Sequence, residues 1–250
     1  MPSTKPYLRL VTMLACACWS MSAPCHATEP EPEPDVQRVI VRATGGAPLR
    51  SYQQMLDGLN AFEKYQSHAP DSRRRFQLVP LQGRAALKTI RLSIASGDEI
   101  TPVAVDADGR FDLPRLDHPE PDAQLKLSLR SDSVRWRPYV RTPGVPADQL
   151  RLGDLRIECR VFDAVDERSM SFTQRMGLSL LGGACVGSRV DFWALAPARI
   201  DGVTLVHGNR RVALPQTAIG RNGETFIAPV NDAGWPDDTR IEFSFVPVAP

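Results

Sequence analysis

Apolar residues recur along this chain with two different periods, and the order in which the periods change is written twice. Val36 to Ala43 is rich in β-branched residues (Val36, Val39, Ile40, Val41) and reads as a strand, broken by Gly45-Gly46-Ala47-Pro48. Ser51 is a capping residue, and Tyr52, Met55, Leu56, Leu59, Phe62 and Tyr65 then fall on one face at helical spacing, which predicts a helix to about Gln66 packed on a sheet. From Arg75 the period drops to two. Phe76–Val79, Ile90–Ile94, Ile100–Val105, the alternation of Leu125, Leu127 and Leu129 with Lys126 and Ser128, and Val134–Val140 all read as strands. Ser96-Gly97-Asp98-Glu99 and Asp106-Ala107-Asp108-Gly109 are turn chemistry, glycine supplying the positive φ that tight hairpins need.

After Thr142-Pro143-Gly144-Val145-Pro146 the series restarts. Leu155 to Phe162 alternates and predicts a strand. Ser169 to Leu181 is the helical counterpart, with Phe172, Met176 and Leu180 at helical spacing. Met170, Phe172, Met176, Leu178 and Leu180 also alternate, so a strand is the second reading there, and Gly182-Gly183 ends the segment in both. Val203–Val206 and Arg211–Leu214 flank His207-Gly208-Asn209-Arg210, a hairpin turn. The anchors of the repeat are Phe76–Pro80 against Phe192–Pro197, Asp108-Gly109-Arg110-Phe111 with Pro114 against Asn222–Phe226 with Pro229, and Gln124–Leu129 against Thr239–Phe245. The expected fold is α+β and β-rich: two tandem similar modules, 36–145 and 146–250, each an antiparallel sheet with one helical segment.

The first 35 residues change how the cysteines are read. Lys5 and Arg9 precede a short apolar run, Leu10 to Met21, and Ala23-Pro24-Cys25-His26-Ala27 offers small residues at a cleavage point, so 1–27 reads as a secretory signal. Leu14-Ala15-Cys16 gives a looser second reading as a lipid-attachment site. Thr28–Pro34 alternates Glu and Pro, and 28–35 is expected to be an extended acidic tether. With the leader go Cys16, Cys18 and Cys25. Cys159 and Cys185 remain, and two thiols in an oxidising space are expected to pair. They lack the spacing of a redox or zinc motif.

Without Lys5 and Arg9 the chain carries 28 basic and 29 acidic side chains, a balance that argues against nucleic acid or an anionic membrane as the main partner. Arginine outnumbers lysine 26 to 4, which reads as the codon bias of a GC-rich bacterial genome. The leader's apolar run is too short to span a bilayer, which takes about 20 residues, and no other stretch of the sequence comes close.

Val105 to Leu116, with Asp108-Gly109-Arg110-Phe111 and Pro114, resembles the Asp-Gly-x-Phe strand turn of carboxypeptidase regulatory-like and transthyretin-like β-sandwich modules. The resemblance covers about 40 residues of the first module, and the second keeps Asn222-Gly223 and Phe226. It implies an accessory, non-catalytic sandwich, from which the helix of each module departs. The layout also resembles that of secreted proteins of proteobacteria, a likeness that implies no function.

Candidate chemistry is sparse. The sequence contains no metalloprotease, nucleophile-elbow, phosphate-loop or zinc motif. Asp117-His118-Pro119-Glu120-Pro121-Asp122 has metal-ligand residue types but reads as a solvated loop, and no catalytic, metal or cofactor residue is assigned. Asp163, Asp166 and Glu167 are expected at the start of the following helix, where acids are favoured. Arg73-Arg74-Arg75 reads as a solvated face. Trp136, Tyr139, Trp193 and Trp235 form an aromatic group, the first two interleaved with Arg135, Arg137 and Arg141; Trp136, Tyr139, Arg137 and Trp235, the last in a Gly-Trp-Pro loop, are the candidate contact surface, with Trp235 expected to be the most exposed. The resulting expectation is an exported, periplasmic or secreted, non-catalytic binding or scaffolding protein of the bacterial envelope, its partner another envelope protein or a glycan. A secreted hydrolase or glycan-binding accessory protein with scattered site residues is the alternative.

Overall fold

Ser51 starts the first helix as its chemistry predicts. In the computed structural model its side chain accepts from the Gln54 N–H (3.2 Å), and Gln54 Oε1 accepts from the Ser51 N–H (3.2 Å). This reciprocal cap begins α1 (Tyr52–Lys64), which buries Tyr52, Met55, Ala61 and Phe62. The described residues are 47–80, 87, 89–128, 134–181, 183–186 and 190–247. The leader, the tether and the strand expected over 36–43 lie outside them.

The architecture is α+β and β-rich, with antiparallel sheets. In the first half β1 (Ala47–Ser51), β6 (Gln124–Leu127), β3 (Leu92–Ser96) and β4 (Glu99–Val103) pair in that spatial order, and β5 (Arg110–Phe111), β2 (Arg73–Pro80) and β7 (Val134–Arg141) form a second sheet. In the second half β8 (Gln149–Arg151), β13 (Arg240–Phe245), β10 (Ile200–His207) and β11 (Arg210–Ala213) take the first order again, and β9 (Phe192–Leu195) pairs with β12 (Thr225–Ala228) as β2 pairs with β5. The hairpins match in detail. Ser96 faces Glu99 across Gly97-Asp98, and His207 faces Arg210 across Gly208-Asn209, with Gly97 at φ 56° and Gly208 at φ 55°.

β1 occupies the segment read above as a breaker. Pro48 is tolerated because β1 is an edge strand, and the register with β6 shifts between Pro48 and Arg50.

The larger correction is α2 (Leu152–Glu167), a helix where Leu155–Phe162 was expected to be a strand. Leu152, Leu155 and Cys159 belong to the core of the second half. Ile157, Val161 and Val165 belong to that of the first, with Phe76 and Trp136. Two residues of helix turn the side chain about 200°, so a helix buried on two opposite faces alternates like a strand. α2 is therefore a wall shared by both cores, and Ile40–Pro250 is one compact unit. α1 packs closely on it at Gly58, where a Cβ would lie 2.7 Å from Val165 Cγ2.

α2 also anchors β7 through two buried carboxylates one turn apart. Asp154 accepts from the Thr142 N–H (2.9 Å) and hydroxyl (2.6 Å), and Glu158 from the Val140 N–H (3.0 Å) and Arg137 Nη2 (2.6 Å). Burial pushes the Glu158 carboxyl above the usual range, with Arg137 working against it. Asp163, Asp166 and Glu167 close α2 and do not open the next helix. Their sign is wrong for a helix C-terminus, and Arg50 compensates in part, 3.4 Å from Asp166.

Arg156 of α2 holds the loop of the second half that carries Trp235. It donates to the carbonyls of Val230, Asp232 and Trp235, and to Asp237 (2.5 Å), which also bonds His68 Nδ1 (2.9 Å). Burial works to raise the Asp237 carboxyl, but Arg156 and His68 outweigh it and hold it below the ordinary range. A depressed carboxyl contributes stability that is complete above its unfolded pKa, about 4, and disappears as pH falls through the folded value. Asp237→Asn is therefore expected to melt below wild type at pH 6, with the gap closing toward pH 3 in a thermal series. A gap that stays constant would show that the carboxylate contributes nothing.

Candidate interaction surface

The segment between α2 and β9 carries a helix that packs on almost nothing among the described residues. Ser171 caps it reciprocally with Gln174, and α3 runs Phe172–Leu180 with no buried residue. Phe172, Met176 and Leu180, at successive turns of one face, are 70%, 50% and 82% exposed. Nine residues are too few to hold a helix in water unaided. Closure comes from both flanks: α2 before it, and the Cys159–Cys185 disulfide after it, with Cα atoms 5.9 Å apart. Gly183 turns the chain there at φ 88°, its N–H donating to the Leu178 carbonyl (2.9 Å).

Beside this apolar ridge lies a cleft of about 470 Å³ between α1 and α2, lined by both signs of charge, with Lys64, Arg160 and Arg175 among the cations and Asp163 and Glu167 among the acids. The Tyr65 ring lies 4.9 Å from the Arg160 guanidinium and 5.2 Å from Lys64 Nζ. Arg168 binds both oxygens of Asp57 on the rim. Burial raises the Asp163 carboxyl; Arg160 opposes this, and Glu167 and Asp166 add to it. A second depression of about 340 Å³ shares Asp163, Glu167 and Arg175 and reaches Leu178 of α3. The arrangement suits recognition: an apolar helix face next to a groove of mixed charge, the composition that protein contacts favour at core and rim.

The aromatic residues singled out from the sequence sit elsewhere. Trp136 is buried in the first core against Phe76 and Phe162, with Arg50 over its ring at 5.7 Å. Tyr139 is half-buried under Arg110 at 4.3 Å, and Arg137 is turned inward to Glu158. Trp235, expected to be exposed, is buried in the second core, with Arg210 stacked 3.7 Å above it. Its loop carries it inward because Arg156 and Arg210 bind the loop's carbonyls. Arg75 of the arginine run is likewise engaged, paired with Asp106 (2.7 Å) and Asp112 (3.2 Å).

Trp193, the fourth member of the aromatic group, lies on β9 and is 47% exposed, and the residues not picked out as contacts from the sequence are Phe172, Met176 and Leu180 on α3. The i, i+4, i+8 spacing on α3 was visible, but such spacing usually marks a core face. Against known proteins, the chain matches no family model, no curated protein and no solved structure.

Proposed function

We propose that this is an exported, non-catalytic binding or scaffolding protein of the bacterial envelope that engages another envelope protein through α3 and the adjoining cleft. The observation that carries the reading is the α3 ridge: three large apolar side chains, each at least half exposed, on a helix capped at one end and followed by a disulfide. A contiguous apolar patch of this kind, rimmed by charge, is typical of protein contact sites. The accessory role implied by the Asp108–Phe111 resemblance belongs to the same reading.

The test is a photo-reactive residue at Met176 in the full chain within its native envelope, with the cross-linked species identified by mass spectrometry. One stoichiometric protein is expected. Phe172→Ser with Leu180→Ser should reduce its capture about tenfold or more, the scale of losing one hot-spot anchor, and leave the melting temperature unchanged, because neither side chain is buried. Undiminished capture by that variant would overturn the assignment of α3, and a cross-link to glycan instead would overturn the choice of partner.

A further inference from the structure

β4 and β11 are matching edge strands, and they treat their free edges differently. The hairpin register equates Glu99–Pro102 with Arg210–Ala213, so Pro102 of the first half has Ala213 as its counterpart. The Leu214 N–H donates inward to the Val203 carbonyl of β10 (2.9 Å). Peptide groups alternate along a strand, so the N–H and C=O groups of Arg211 and Ala213 point away from the sheet. Pro102 holds the equivalent outward position on β4 and has no N–H to offer, which guards that edge. β11 lacks such a guard. Arg210, Arg211, Val212 and Ala213 are all exposed, and no strand lies beyond β11 among the described residues.

The charges on this edge are already engaged within the chain. Arg211 pairs with Glu242 (2.7 Å), and Arg210 stacks on Trp235 at 3.7 Å and donates to the Gly234 carbonyl (2.9 Å). Neither guanidinium is left to select an acidic peptide. What the edge offers a partner is its backbone and Val212, which faces the core side of the sheet beside buried Leu205 and is still 41% exposed. We propose that two copies of this chain pair antiparallel through β11, about a two-fold axis at Val212, so that their sheets join into one.

The strand is complementary to itself in that register. Hydrogen bonds can be exchanged only between residues whose peptide groups point outward, so Arg211 and Ala213 are the residues to be matched. Arg211 against Arg211 would set like charges directly opposite. Ala213 against Ala213 would set Arg211 against Pro215, which has no N–H. Arg211 against Ala213 uses every outward N–H of both strands, puts a long side chain opposite a small one and brings Val212 onto its own mate. A strand this short buries less than the roughly 1,200 Å² of a stable interface, so the association is weak and depends on concentration. The joined molecule presents the α3 ridge twice, but the pairing does not rest on that ridge being a contact surface.

The test is sedimentation velocity of the full chain, whose mass should rise from monomer toward dimer as its concentration is raised to about 1 mM, the range of weak pairs. Ala213→Pro, which copies the guard at Pro102, should keep the protein monomeric throughout. Its melting temperature should be unchanged, because the N–H it removes points away from β10. Under oxidation Val212→Cys should give a disulfide-linked dimer, since opposed residues outside the hydrogen-bonded pairs lie about 4.5 Å apart at Cβ, within disulfide reach. Ala213→Cys, whose mate lies on the diagonal at roughly 7–8 Å, should do so about tenfold less. A wild-type chain that stays monomeric at about 1 mM, or equal cross-linking at positions 212 and 213, would overturn the pairing. So would a dimer that survives Ala213→Pro, and its loss in Phe172→Ser with Leu180→Ser would move self-association to α3.

Discussion

Arg137→Met is expected to destabilise the protein by about 3–5 kcal/mol, the cost of breaking a buried ion pair by removing one partner. The Arg137 and Glu158 side chains are 14% and 4% exposed, so the change leaves a carboxylate in the core with only the Val140 N–H as partner. The double variant Arg137→Met, Glu158→Leu should recover most of the loss, because an apolar pair has no charge to desolvate. The effect should also depend on pH. Burial already raises the Glu158 carboxyl, and losing the guanidinium raises it further. A carboxyl raised in the folded state is accommodated below its unfolded pKa and becomes costly as pH rises through the folded value. Urea unfolding at pH 7 and near pH 4.5 should therefore show a smaller deficit for Arg137→Met at the lower pH. A deficit of the same size at both would mean that losing Arg137 does not raise the Glu158 carboxyl further, and a loss below about 1 kcal/mol would mean that the pair is effectively solvated.

The parts of this fold that were legible in the sequence are those that local chemistry decides. Gly97-Asp98 and Gly208-Asn209 demand two-residue hairpins, Ser51 demands a helix start, and the short alternating runs of β3, β6, β7 and β10 have one reading. Asp106 closes an Asx turn by accepting from the N–H groups of Asp108 (3.0 Å) and Arg110 (2.9 Å), and Asn222 does so with the N–H of Glu224 (3.1 Å). Those two turns made the match between halves visible. The β2–β9 anchor was offset: pairing equates Phe76 with Ala194, not Phe192, a shift of two residues that keeps the same face. Period alone cannot detect a slip of two.

What was not legible depends on tertiary context. Leu155, Ile157, Cys159 and Val161 alternate because α2 is buried on two sides, and nothing local distinguishes that from a strand. Arg137 and Trp235 looked like surface chemistry because arginine and loop tryptophan usually are. Here a carboxylate from α2 draws the guanidinium inward, and Arg210 covers the indole. For α3 the ambiguity was the reverse: an apolar helical face signals burial, and its exposure follows only from the absence of an opposing element among the described residues.

Replacing both Cys159 and Cys185 by serine should lower stability by about 3.5 kcal/mol by the loop-entropy relation for their separation of 26 residues, which for a domain of this size is a fall in melting temperature of about 7–14 °C. The loss should not be spread evenly. The bond closes a segment whose helix lacks buried support, and both cysteines are buried, so their release loosens the path from α2 through α3 toward β9 first. Limited proteolysis should cut between Arg168 and Asp191 in the reduced or substituted protein under conditions where the oxidised wild type resists, and before the sheets unfold. Reductant should bring wild type to the melting temperature of the double variant and leave the variant unmoved. If the α3 ridge is the contact surface, the same partner should still be captured below the variant's melting temperature but in lower yield, because a helix loosened at one end must be ordered at the moment of binding. Equal melting temperatures and equal protease resistance in the two proteins would refute the structural role of the bridge and, with it, the account of how an unburied helix is held in place.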